Sequence, residues 1–191
     1  MPTEELTAQT HAERERLAQL LSELRPKQWS APSLCAGWRV REVVAHLTMP
    51  YRTGPARFFF GLARSGFNFH RYSDRAARTD AARLSEAELL GVLRANIHHP
   101  WRPPGGGEAG ALSHDVIHGL DITDPLGLPA CPPERIALVL RQTSPKSLRY
   151  FGVDLGERQL IASDADARLG EGAPVHAPAK DILLIATGRK P

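Results

Sequence analysis

Between Pro103 and Glu134 the chain carries no Lys or Arg, although 24 of its 191 residues are basic, and inside that window His114 and His118 stand four residues apart. On an α-helix this spacing puts two side chains on one face with Cβ atoms about 6 Å apart, close enough for two imidazoles to reach one ion the size of Zn²⁺. The window therefore reads as a helix over residues 108–123, stopped by Pro125 and Gly127. The pair alone is not specific, because such pairs also occur on solvated helix faces. In a chain studded with arginine, however, a solvated face should carry arginine, and this one carries Glu108, Asp115, Asp121, Asp124 and Glu134 instead. On a helical wheel Leu112, Val116, Gly119 and Leu120 fall on one side, and His114, His118 and Asp121 nearly opposite. A surface helix would turn those histidines to water; a helix lining a cleft would make them the floor of a site.

The rest of the chain sets helical stripes around that window. Leu17, Leu20, Leu21 and Leu24 recur at i, i+3, i+4 and i+7, which predicts a helix over 12–24 ended by Pro26. Val40, Val43, Val44 and Leu47 mark a second helix, with His46 at the rim of its apolar stripe. Residues 51–80 are less regular, with Phe58-Phe59-Phe60 and Phe67-Asn68-Phe69 among arginines and a break expected near Gly66. Ser85 and Glu88 form a capping box before Leu89, Leu90, Leu93 and Ile97. The run His98 to Gly107 cannot continue a helix, and Pro132-Pro133-Glu134 opens another. From Leu148 the texture changes: Leu148–Phe151, Arg158–Ala162 and Pro174–His176 read as short strands, followed by a helix over 179–187 capped by Gly188. The expectation is a mainly α protein, with a helical domain over 1–145 and a small strand-containing extension over 146–191.

Composition excludes some function classes. The sequence pI is near 9.1, yet the net charge is only +3, and the basic residues are spread without aromatic interleaving or a basic helix, which argues against nucleic-acid binding. The start is polar and no apolar run could span a bilayer, so a cytoplasmic chain without a membrane anchor is expected. Cys35 and Cys131 are too few and too far apart for a disulfide framework. Arginine outweighs lysine, which occurs only at Lys27, Lys146, Lys180 and Lys190, and this bias points to a GC-rich genome.

A wider pattern then emerges. Trp29, the run Pro32-Ser33-Leu34-Cys35-Ala36-Gly37-Trp38-Arg39-Val40-Arg41-Glu42-Val43-Val44-Ala45-His46-Leu47, and the later His114-Asp115-Val116-Ile117-His118-Gly119-Leu120-Asp121-Ile122 resemble the mycothiol-dependent maleylpyruvate isomerase family, a branch of the DinB-like metal-binding bundles. The C-terminal stretches Ala162–Asp166, Gly170–Gly172, Pro178–Leu184 and Thr187-Gly188-Arg189 are similar to the end of the accessory domain in those proteins. The resemblance implies a DinB-like four-helix bundle with a small α+β C-terminal extension, and one divalent ion, zinc by preference, held by His46, His114 and His118. The isomerase itself has Glu at the position of His114, whereas other DinB-like proteins have His there. The C-terminal part is expected to be too short for the whole accessory domain.

Three imidazoles leave a coordination position open, which in this family implies the sulfur of mycothiol, the low-molecular-weight thiol of actinobacteria, held as thiolate. The implied reaction is an isomerisation or S-transfer on a small electrophile, the thiol adding to a conjugated C=C that then rotates, or displacing a leaving group. Asp121, one turn from His118, is the candidate to orient an imidazole through its other nitrogen. Arg52 and Trp101 are candidates for substrate contact, with His98 and His99 on the same rim. His70 and His176 read as ordinary surface histidines, and Trp38 as a packing residue. Two other readings stay open, a DinB-like metal-binding protein without turnover and a hydrolase using metal-bound water. Oligomeric state is left undecided, a homodimer being one option.

Overall fold

The computed structural model describes residues 3–191. The chain is mainly helical with one three-stranded sheet, and its contacts divide it into two compact units. One comprises the described part of Met1–Glu13 together with Arg102–Pro191; the other is Arg14–Trp101. The change of texture near residue 145 thus lies inside the first of these units. Helix α1 (Thr3–Ser22) contributes to both.

In the unit Arg14–Trp101, α1 is followed by a short helix α2 (Pro26–Trp29), α3 (Val40–Arg52), α4 (Pro55–Ala63), α5 (Phe69–Arg83) and α6 (Glu86–Ala95). Pro26 opens α2 at its first turn, where a missing N–H costs nothing. Helix α3 is the centre of this unit and packs on α2, α5 and α6. Its stripe is buried completely, with Val40, Val43 and Val44 at 0% exposure, and its start is fixed by a capping box in which Glu42 accepts from the Arg39 backbone N–H at 2.8 Å. The break after α4 falls at Gly66 and Phe67, both with positive φ. The Ser85–Glu88 capping box forms as the sequence predicts. The α6 stripe is seated by Leu89 and Leu93, with Leu90 at its margin.

In the other unit, α7 (Gly107–Thr123) packs on α8 (Pro133–Gln142) and α10 (Ala179–Ala186), and α10 also lies against strand β1 (Arg158–Ala162). Strand β1 is central, antiparallel to β2 (Arg168–Leu169) and parallel to β3 (Ala173–Ala177), with Leu160 facing Leu169 on one side and Val175 on the other. The turn that returns the chain to β3 requires glycine at 172: its φ is +117°, and a Cβ there would stand 2.2 Å from the Glu157 carbonyl oxygen.

Two expectations are corrected. Helix α1 starts at Thr3 rather than near residue 12, because the polar opening is made of helix formers with Glu4 and Glu5 in the first turn, and Leu6 and Thr10 continue the buried stripe. Leu148–Phe151 is not a strand: residues Pro145–Tyr150 form helix α9. Pro145 occupies its first turn and Ser144 caps it by accepting from the Ser147 N–H at 3.2 Å. A Ser-Pro start outweighs four residues of strand-like composition.

Candidate metal centre

Helix α7 is buried along both sides. Leu112, Val116 and Leu120 are no more than 1% exposed, and on the other side Asp115 is 2% and Asp121 0% exposed. The arginine-free sequence follows from this burial, since a lysine or arginine there would have to be desolvated and paired. Within the helix His114 and His118 are brought together, their ring centroids 4.9 Å apart and their planes 79° apart.

Each of these rings is tied by its Nδ1. His114 Nδ1 lies 2.9 Å from Asp115 Oδ1, and His118 Nδ1 lies 2.9 Å from Asp121 Oδ2. A carboxylate only accepts, so these contacts place the ring proton on Nδ1 and assign Nε2 as the nitrogen each histidine would offer a cation. Asp121 is itself gripped from α10's far side: Arg189 donates Nε to Oδ1 at 2.7 Å and a terminal nitrogen to Oδ2 at 3.0 Å. Arg189 also donates to the Thr187 carbonyl at 2.8 Å and stacks over Phe151. Burial alone would raise the Asp121 carboxyl, but the His118 and Arg189 hydrogen bonds overcome it and hold the group well below the usual carboxylate range. Burial pushes the His118 imidazole down, outweighing the opposing pull of Asp121, which favours the neutral ring that a metal needs.

In the other unit His46 sits on the buried flank of α3 at 7% exposure. Its Nδ1 is 2.9 Å from Ser73 Oγ on α5. Its ring is 5.4 Å from that of Trp38, whose indole N–H donates to Asp74 Oδ1 at 2.7 Å. Adjacent residues of α5 therefore hold both the imidazole and the indole beside it. Trp38 packs as the sequence indicates, but against the very ring proposed as a ligand.

The other candidates fall as follows. Arg52 is largely buried and spends its guanidinium on Asp80 at 2.5 Å, the Ala45 carbonyl at 2.7 Å and Thr48 Oγ1 at 3.2 Å. It ties α3 to α5, and a substrate carboxylate would have to compete with Asp80. Trp101 is half-buried, its backbone N–H donating to His99 Nδ1 at 3.1 Å; His99 packs on Tyr51, and its carbonyl accepts from the buried Arg14. His98, His70 and His176 are exposed. Neither cysteine forms a disulfide. Sequence reading missed Asp115, Ser73 and Arg189 as supports for the imidazoles. Asp115 stood beside His114 in plain view, whereas the contacts of Ser73 and Arg189 span 27 and 68 residues and leave no local signal.

Residues 10–99 match the profile of the mycothiol maleylpyruvate isomerase N-terminal domain. No curated protein is matched by the chain. Among solved structures it is similar to that of the mycothiol-dependent maleylpyruvate isomerase, with a TM-score of 0.64 at 14% identity, and to that of a mutant of the isomerase with histidine replaced by alanine, with a TM-score of 0.59 at 16% identity. Each match covers 100% of this chain and 90% of the other. The fold is therefore that of those structures. The tail expected to be too short belongs to a chain that spans nine-tenths of its structural neighbours.

Proposed function

We propose, from the match of residues 10–99 to the mycothiol maleylpyruvate isomerase N-terminal domain, that the chain belongs to that family and is a metal- and mycothiol-dependent enzyme, an isomerase or S-transferase acting on a small electrophile. His46, His114 and His118 are the proposed ligands of one divalent ion. The observation that carries this reading is that all three imidazoles are tied by Nδ1, to Ser73, Asp115 and Asp121, so that each would offer Nε2. Ligating histidines are commonly supported in this way. An all-nitrogen set of neutral rings fits zinc, although copper, iron and nickel accept the same donors. When bound, an ion with three protein ligands supplies an open Lewis-acidic position that holds a thiol as its thiolate.

What the protein itself does is orient and insulate. Asp115 and Asp121 fix the proton of each α7 ring on Nδ1 and keep Nε2 basic. Arg189 holds Asp121 ionised and immobile, so the His118 ring cannot swing on its own helix turn. Ser73, as a hydroxyl, can accept from His46 Nδ1 and places no further charge beside that ring.

Metal analysis of purified protein followed by mycothiol titration of the Co²⁺-substituted form tests the proposal. One equivalent of ion, lost in His114→Ala and His118→Ala, and a new sulfur-to-metal charge-transfer band on adding mycothiol are expected. Failure to bind a stoichiometric ion overturns the metal assignment. An ion without the band overturns the thiol assignment, and the hydrolase and binding-protein readings then move ahead of it.

A further inference from the structure

Helix α4 and the turn after it are built unlike the rest of their unit. None of the nine residues of α4 is buried, although three consecutive phenylalanines occupy its middle. Phe59 is 65% exposed, Phe60 67%, Phe67 in the turn 75% and Phe69 at the start of α5 42%. Phe59 and Phe69 are held by neighbouring rings. Phe58 stands edge-on to both Phe59 and the buried Tyr72, at 5.6 and 5.3 Å between centroids, and Phe69 leans on Tyr72 at 6.4 Å. Gly61 lets α4 approach that anchor, since a Cβ there would lie 2.5 Å from the Tyr72 ring, and Arg75 donates to the Gly61 carbonyl at 3.0 Å. Phe67 has φ of +57°, a conformation costly for a bulky side chain, and its backbone N–H donates to the Leu62 carbonyl at 3.0 Å. Backbone strain is thus spent on displaying an aromatic ring to solvent.

Along the sequence that carries these rings the charge is of one sign. From Val43 to Ser73 there is no Asp or Glu, while Arg57, Arg64 and Arg71 are exposed along α4, the turn and the start of α5. Arg64 lies over the Phe60 ring at 5.8 Å. The nearest acid in sequence, Asp74, is already engaged by Trp38 and Arg78.

We propose that this aromatic, arginine-flanked helix and turn form a docking surface for an anionic phospholipid bilayer, the phenylalanines entering the acyl boundary and the arginines meeting lipid phosphates. The occupant follows from shape and charge. Short helices with Phe on one side and Arg at the flanks lie in the interfacial layer, where arginine stems snorkel to the headgroups. A second copy docking face to face would set Arg57, Arg64 and Arg71 against themselves. None of the surface residues is a proposed metal ligand, so the two readings are tested separately.

Co-sedimentation of the full chain with vesicles of phosphatidylcholine, with and without phosphatidylglycerol, tests this. Binding is expected only to the anionic vesicles and should weaken as salt rises. Arg57→Gln and Arg64→Gln should each lower the partition coefficient about fivefold, and Phe60→Ser with Phe67→Ser by about tenfold or more, with helical circular dichroism and divalent-ion content unchanged. No binding to anionic vesicles, equal binding to neutral ones, or binding untouched by these exposed substitutions would overturn the proposal. So would a concentration-dependent dimer abolished by the phenylalanine variant, or retention of the surface by an acidic peptide but not by lipid.

Discussion

At Asp121 one carboxylate serves two partners, His118 on its own helix and Arg189 from 68 residues away. Its substitutions should therefore separate by kind. Asp121→Asn keeps the shape but weakens both hydrogen bonds; divalent-ion affinity, read by competition with a chelator, is expected to fall about 10–100-fold with helical circular dichroism unchanged. Asp121→Ala strands a largely buried guanidinium and should also cost about 3 kcal/mol in denaturant unfolding. Affinity unaltered in the Asn variant would detach Asp121 from the proposed ion. At this scale the sequence was legible where spacing is local. Four residues between His114 and His118 imply a shared helix face, and His46 came through the resemblance. Ser73, Arg189 and the partner of Arg52 were not legible, because nothing within a helix turn says which distant side chain will arrive beside it.

Helix α3 illustrates the element scale. Its Val40, Val43, Val44 and Leu47 stripe was readable at the helical period, and its capping box closes on Glu42, whose side chain is 4% exposed. Burial would raise the Glu42 carboxyl, but the side-chain and backbone hydrogen bonds from Arg39 prevail and hold it below its ordinary value. A depressed carboxylate contributes stability that is present above the ordinary glutamate range and lost as pH falls through the lowered folded-state value. Thermal melts from neutral to acidic pH should show that loss in the parent chain. Glu42→Gln is expected to cost about 1–2 kcal/mol at neutral pH and to flatten the acid limb; an acid limb as steep as the parent's would assign the titration elsewhere. Helix α9 shows the opposite case. Leu148, Tyr150 and Phe151 have a strand-like composition, while the decisive Ser144-Pro145 pair lies just outside them.

For the whole molecule, each compact unit has its own apolar interior: Leu17, Leu21, Val43 and Leu89 in one, Leu112, Leu120, Ile136 and Ile182 in the other. Neither should need an ion to fold, so chelation is expected to leave helical circular dichroism intact while lowering the melting temperature. At free metal 100-fold above Kd the difference corresponds to about 2.7 kcal/mol. Collapse of the helical signal on chelation would mean that the ion is structural. The long-range tie between Asp121 and Arg189 also imposes an order in time. Helix α7 can form from local contacts, but the carboxylate that sets the His118 ring reaches its final partners only once the chain beyond α10 has closed a loop of 68 residues. In stopped-flow refolding, high-affinity metal capture should therefore lag the recovery of helix, and an Arg189→Ala chain should regain its helices at the parent's rate while its capture phase slows.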